Sequence, residues 1–584
     1  MMKNLFKSKL GLWLPLGSAI ALAGGGALVW WNLQQRTPVE GLPIGSEVLP
    51  EDTAVTIALS TNEAQWRQLQ QFGNRVTKAQ VNEFVRKTSD RLFTQNGLDY
   101  ERDIKPWVGS EITLAFLASP APEGDSAPSA IVPQAPLDTP PLFMLPIANP
   151  AKAQELLSKP RTGADQEAVE RDYKGLKIRE VHGKEGPAYA ATVIDNRLVV
   201  LSPDAKSVER VIDTLKGEAP LSRVSEYSQA FKQLKPIAPL VRLYSNIPKA
   251  ETLAAGNPLQ PVPPQSFSFL KNNQGLVGTI TLEPEGLQMQ GVSWLPSDSK
   301  VRYRVENKAQ RMASLLPSET IMMVSGGNLR QFWEENNPPT AGQNNPAPRS
   351  TVSGLSPIES GLENMTGLQM EKDFLPWMNG EFALGLVAGS AQDTSAPTAG
   401  LMLLSQASDR RAAEQTLKRL DEVMQSRYQF QVNPTEANGQ PVVNWVSPFT
   451  ALKASHGWLD GNVAYLAVGP GVSGLVNPAP GKTLAETELF RQATATTLES
   501  TNGHVFINFE PIANASTALP LPILPPENQA VLSAMRAIGV TTAIQDNRTF
   551  RFDTQFILRK SSPLDDAPLP ASPSPSASPA PASP

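Results

Sequence analysis

The sequence predicts an α+β chain: an N-terminal transmembrane helix, then two tandem homologous domains of largely antiparallel sheet with helices layered on one face. Three observations carry that expectation. An uncharged apolar run opens the chain, similar segments recur about 265 residues apart, and apolar residues alternate at period 2 in some stretches and near period 3.6 in others. At 584 residues the chain also exceeds the roughly 250–300 at which a single core stops growing, so more than one domain is required.

The first element is Leu10–Trp31, 22 residues without a charge. At about 1.5 Å per residue it spans about 33 Å, enough for a bilayer core. Lys3, Lys7 and Lys9 precede it, whereas Glu40, Glu47, Glu51 and Asp52 follow. That asymmetry places residues 1–9 in the cytoplasm and the bulk of the chain, beyond a linker at 32–44, on the other side. Trp13, Trp30 and Trp31 sit near the two ends, as interfacial anchors do. Ala21-Leu22-Ala23 ahead of Gly24 offers a signal-peptide cleavage site as the alternative. The apolar run continues to Trp31 with no polar stretch, which favours an uncleaved signal-anchor.

The next signal is self-similarity. Val48–Thr53 matches Leu315–Thr320, and GLDYERDIKPWVGSE (97–111) matches GLQMEKDFLPWMNGE (367–381). Leu142–Leu145 aligns with Leu401–Leu404, Asp195–Leu198 with Asp460–Val463, and Leu243–Asn246 with Val505–Asn508. Anchors in the same order at nearly constant offset describe a domain duplication, because solenoid repeats are only 20–50 residues long. The expected domains are 45–298 and 305–560, joined by 299–304. A Pro/Ser/Ala tail at 561–584 has eight prolines in 24 residues and too little apolar character to bury a core.

Within the first copy, Val55–Ser60 alternates like a strand, and Glu63–Phe93 carries apolar residues at helical spacing. Strands are expected near Glu111–Ala118 and Leu142–Ala148, with a helix opening at Asn149-Pro150 as N-cap and first residue. Leu176–Val181 and Tyr189–Leu201 read as strands, the latter a hairpin turning at Asp195-Asn196. A helix at Asp204–Leu215 ends at Gly217. Val241–Ser245, Leu276–Leu282 and Leu287–Leu295 complete the set. Inserts at Pro120–Pro141 and Asn336–Ser350 read as surface loops. Leu253–Phe269 and Leu519–Pro526 are apolar yet proline-rich, so neither is an ordinary core element. Leu519, Leu521, Ile523 and Leu524 are therefore candidates for contact with a membrane or a partner protein.

Composition removes several function classes. The absence of cysteine excludes disulfides, thiolate metal sites and cysteine nucleophiles, and only His182, His456 and His504 supply imidazole. A net charge of −5 with no basic run argues against nucleic acid as a partner. Gly481-Lys482-Thr483 resembles the end of a phosphate loop, but Val476 stands where the first glycine belongs, and Pro478 and Pro480 lack the N–H groups a phosphate cradle uses. No histidine has an acid or nucleophile at a telling spacing, so all three read as structural, His182 and His504 on strands and His456 beside a turn. No cofactor or metal is expected.

The repeated segment is the best candidate for chemistry: Asp103, Pro106, Trp107 and Glu111 return as Asp373, Pro376, Trp377 and Glu381. Two carboxylates beside an indole suit Ca²⁺ or a sugar. The same residues also make a helix stop, a packed indole and a turn into the next strand, and folding explains the pattern without a ligand.

The membrane-anchored opening, LPEDTAVTIALSTNEAQWRQLQQFG and the twice-used D-x-x-P-W-x-x-x-E together resemble a cyanobacterial family called domain of unknown function 3352. The resemblance covers nearly all of the chain outside anchor and tail. It implies a bacterial envelope or thylakoid-facing protein, with the bulk in periplasm or thylakoid lumen, and brings no catalytic residues. The expected function is non-catalytic binding or scaffolding at a membrane, with a protein partner. Lipid or hydrophobic-ligand binding is the alternative, and an enzyme without a recognisable motif is the third reading.

Overall fold

The computed structural model describes residues 41–79, 82–83, 86, 99–118, 140–158, 167–183, 186–234, 238–255, 272–336, 356–389, 399–437, 439–448, 453–469, 472–476, 480–513 and 532–561. The expected anchor at 10–31, most of both inserts, Leu519–Pro526 and nearly all of the tail lie outside them. Among the described residues no helix is long and apolar enough to cross a membrane. The chain divides into two compact units. One comprises Met1–Asn62, Arg91–Thr279 and Gly291–Val301, the other Glu63–Asp90, Ile280–Gln290 and Arg302–Pro584.

The strands, in chain order, are β1 (Thr53–Ser60), β2 (Glu111–Leu117), β3 (Leu142–Pro146), β4 (Glu167–Tyr173), β5 (Leu176–Gly183), β6 (Gly186–Ile194), β7 (Leu198–Ser202), β8 (Val241–Asn246), β9 (Gly275–Glu283) and β10 (Gly286–Trp294). They continue as β11 (Thr320–Gly326), β12 (Phe382–Ala388), β13 (Ala399–Gln406), β14 (Gln431–Ala437), β15 (Gln440–Val446), β16 (Lys453–Leu459), β17 (Val463–Val468), β18 (Gly503–Asn508), β19 (Met535–Ile544) and β20 (Thr549–Leu558). The helices are α1 (Glu63–Leu69), α2 (Pro150–Ser158), α3 (Ala205–Lys216), α4 (Ser225–Lys232), α5 (Ile247–Ala255), α6 (Leu329–Asn336), α7 (Ser356–Thr366), α8 (Arg410–Tyr428), α9 (Glu488–Ala493) and α10 (Glu510–Ala513). The molecule is α+β with large antiparallel sheet.

In the first unit β1 pairs with β2 and β8, β2 with β3, β3 with β7, and β7, β6, β5 and β4 follow as hairpin neighbours, all antiparallel. In the second unit β11 pairs with β12 and β18, β12 with β13, β13 with β17, and β17, β16, β15 and β14 follow in turn. β18 continues into β19 and β20. The β6–β7 turn, three residues long between the paired Ile194 and Leu198, places Asp195 and Asn196 at φ 49° and 52°, both left-handed.

One expectation is corrected: helices cover both faces of these sheets, not one. In β3, Leu142 and Met144 pack with Val208, Val211 and Ile212 of α3, while Phe143 and Leu145 pack with Ile104, Trp107 and Ala153 on the other side. In β17, Val463 and Tyr465 face Phe490 of α9, and Ala464 and Leu466 face Leu417 of α8. The physical reason is in the strands. Leu142–Leu145 is buried without alternation, the pattern of a strand covered on both faces. A second correction concerns Glu63–Phe93. The helix is interrupted after Leu69, where Phe72 bridges to Lys560 and Gly73 takes φ 81°, so that a Cβ would meet Thr77 Oγ1 at 2.5 Å; helical backbone resumes at 75–79.

Candidate functional site: the repeated tryptophan clamp and the outer sheet face

The local fold of each repeated motif follows from its sequence. A single π-type turn, Tyr100–Ile104 or Met370–Phe374, is closed by Lys105 N–H donating to Tyr100 O (2.8 Å) or Leu375 N–H to Met370 O (2.9 Å). Pro106 and Pro376 then forbid continuation. The chain turns so that the indole enters the core at 2% exposure in both copies. Trp107 Nε1 donates to Asp103 O at 2.6 Å, and Trp377 Nε1 donates to Asp373 O at 2.8 Å. The Asp carboxylates cap the same turns: Asp103 Oδ2 accepts from Asp99 N (2.9 Å), and Asp373 Oδ2 from Gln369 N (2.7 Å). Arg102 holds Asp103 through two nitrogens at 3.0 Å each, and Arg419 reaches Asp373.

The glutamates do separate work. Glu111 accepts from Ile44 N (3.0 Å) and pairs with Arg242. Glu381 Oε1 accepts three backbone N–H groups, from Gln310 (2.7 Å), Arg311 (2.6 Å) and Met312 (3.1 Å). Each buried carboxylate thus ties the start of its strand to the segment that leads into β1 or β11. Asp and Glu of one motif share no partner, so the structure does not converge them on a common ligand position. Among the described residues no group of three or more acidic or histidine side chains is placed to hold a metal.

The sequence reading missed one polar constellation. His456 lies mid-strand in β16, not beside a turn, and its Nε2 is 2.8 Å from Asp421 Oδ1 on α8. Trp445 Nε1 donates to the same oxygen at 2.6 Å. The partner acid is 35 residues upstream on another element, out of reach of spacing arguments. His504, on β18 as expected, is bracketed by Thr501 and Thr541 hydroxyls at 3.2 and 3.1 Å. Burial holds its imidazole below the ordinary value. Thr483 of the phosphate-loop look-alike is a helix cap, exchanging bonds with Glu486 in a capping box.

Two cavities stand out. One, of about 190 Å³, lies in the first unit between Ile44–Val48 and the Asp195–Leu198 turn. Glu47 lines it, its carboxyl pushed up by burial against the opposing pull of Arg197. The other, of about 200 Å³, lies in the second unit between α6 and the ends of β11, β12, β18 and β19.

The outer sheet faces carry apolar residues that none of the four packed clusters of described residues includes. In the first unit these are Val55, Ile57, Leu59, Phe116, Val241 and Leu243. In the second they are Met322, Val324, Val505, Ile507, Ile538 and Val540, in cross-strand register. All twelve are half-buried. On the neighbouring strands Leu384 is 41% and Leu401 52% exposed.

No curated protein matches the chain in sequence. Among solved structures it resembles "Structure of crystal form I of TP0453", with a TM-score of 0.25 and 10% identity over 44% of this chain and 80% of that one. Crystal forms IV and III of the same protein give 0.23 with 9% identity and 0.20 with 11%, at similar coverage. The family model described as "Protein of unknown function (DUF3352)" matches residues 16–558, and the chain belongs to that family.

Proposed function

We propose that the chain is a single-pass, membrane-anchored binding or scaffolding protein, built from two copies of one module outside the cytoplasm, that offers an apolar sheet face to a hydrophobic partner protein. The observation that carries this reading is the half-buried outer face in each unit, with Leu384 and Leu401 exposed beside it. The uncharged stretch 10–31 with its preceding lysines supports the anchor. Matching strand pairings support the duplication. A non-catalytic role is supported by the use of the repeated carboxylates: each is consumed by backbone N–H groups or an arginine. Leu519, Leu521, Ile523 and Leu524, which lie outside the described residues, are proposed as a second contact with partner or membrane.

The test is a photo-crosslinking residue at Leu401 of the full chain in intact membranes. The expected result is one stoichiometric protein adduct, lost when Leu384 is changed to Asp. Lipid adducts alone would favour the hydrophobic-ligand alternative, and an unlabelled chain would overturn the binding reading.

A further inference from the structure

The two units differ at one cross-strand position on this outer face. In the first, Leu59 of β1 stands opposite Val241 of β8. In the second, the corresponding pair is Gly326 opposite Gly503. Two glycines facing each other remove both side chains from a central strand pair, and a cavity of about 200 Å³ opens there. Part of the vacated space is taken up by neighbours: a Cβ on Gly503 would meet Ser325 O at 2.5 Å. Phe382 of β12, opposite Gly326, lies so close that a Cβ on Gly326 would meet its ring at 2.6 Å. Phe332 of α6 stands 5.3 Å from that ring, centroid to centroid.

The cavity is lined by Val324, Val505 and Val540 as well as the two rings, with Ser325, Asn328, Gln331, Asn502, His504 and Thr542 as its polar members and no Lys, Arg, Asp or Glu. Burial lowers the His504 imidazole from its ordinary value and so disfavours a compensating cation there. An anionic headgroup would therefore enter without a counter-charge, which is costly in a partly buried site. A space of this size exceeds the about 150 Å³ apolar cavity that accepts benzene and falls short of the about 300–1,000 Å³ of drug-sized pockets. It suits one ring or the end of one chain. Along the sheet its wall continues into the half-buried row Val540, Val505, Val324 and Leu384, an apolar track on which the rest of a chain can lie.

We infer that the Gly326–Gly503 notch of the second unit is a binding site for the end of an uncharged, single-chain amphiphile such as a long-chain alcohol or amide, and that the first unit, with Leu59 and Val241, has no such site. The inference goes beyond the proposed partner surface and does not require it.

The experiment uses the full chain in membrane vesicles, labelled with diazirine-bearing decanol or diazirine-bearing decanoate, and mass-spectrometric mapping of the labelled residues. Labelling is expected at Val324, Phe332, Phe382, Val505 or Val540, at least tenfold stronger for the alcohol and suppressed by excess unlabelled decanol. Gly326→Ala, which displaces the Phe382 ring, is expected to cut it severalfold. Because that variant disturbs packing, Val540→Trp provides the second arm, enlarging a side chain that lines the cavity. It is expected to abolish labelling while protease resistance of the full chain persists. Labelling that survives both substitutions, that favours decanoate, or that is equally strong around Leu59 and Val241 would overturn the site. Loss of the Leu401 cross-link in wild type would instead overturn the partner surface and leave this site standing.

Discussion

The two copies of D-x-x-P-W-x-x-x-E hold their tryptophan in the same way and their glutamate in different ways. Both indoles donate to the carbonyl of the motif's own aspartate, so this part depends on local chain geometry alone. The glutamates look outward to whatever the rest of the unit supplies. Glu111 meets an arginine and one backbone N–H, whereas Glu381 meets three backbone N–H groups. His504 occupies in β18 the register position that Arg242 occupies in β8. A motif whose partners lie within itself is copied intact, and one whose partners lie elsewhere is free to change the chemistry of its attachment while keeping its position.

The largest effect tests the shared half. Trp107→Ala and Trp377→Ala should each destabilise their own unit by about 3–5 kcal/mol, read unit by unit from hydrogen exchange of the full chain. Costs that differ greatly between the two would break the equivalence of the clamps. Next comes the divergent half. Glu111→Gln strands Arg242 in a partly buried site and should cost about 2–3 kcal/mol. Glu381→Gln retains an acceptor for the three N–H groups and should cost about 1 kcal/mol. Equal costs would show that charge at Glu111 is irrelevant.

Smaller effects appear in pH dependence. His504 has its folded value lowered by burial, so the unfolded chain binds the proton more readily. Stability of the second unit should fall as pH drops below about 6.5, the ordinary histidine value, and His504→Gln should flatten that slope. A first-unit profile with the same slope would separate it from histidine. Glu47 shows the opposite sign of shift for an acid, its carboxyl raised by burial. Its contribution is fully present below the ordinary glutamate value and is lost as pH rises through the raised one. Glu47→Gln should therefore raise the melting temperature of the first unit at pH 7, with the gain vanishing toward pH 4. A gain that persists at pH 4 would assign the effect to packing.

Much of this architecture was legible in the sequence because it is local. Asp195-Asn196, Asn149-Pro150 and the alternation in β1 and β2 encode turns, caps and strand faces within a few residues. The continuous run Leu142–Leu145 also carried the two-sided burial of β3, although alternation elsewhere suggested one covered face. The β4–β5 hairpin escaped because EAVERDY has little apolar content and holds its register through ion pairs such as Arg171 with Glu180. The apolar spacing of 63–93 runs through Gly73 as though one helix did, and only the strand bridge at Phe72 and the left-handed Gly73 show why it is interrupted before 75–79. The candidate site divides the same way. The Trp clamp is a contiguous signal, but the Asp421–His456 pair and the Gly326–Gly503 notch exist only once strands far apart in sequence are in register.

The strand β14 has a consequence for how these chains tolerate one another. Nearly all of it faces solvent, it pairs with β15 alone among the described strands, and Pro434 stands at its middle beside Asn433 and Glu436. An unguarded strand of this kind is a template on which a second molecule can add its own. Here the incoming backbone meets a missing N–H and a carboxylate at the centre of the template. The free edge of β14 therefore offers a second strand no unbroken row of hydrogen-bonding groups on which to add.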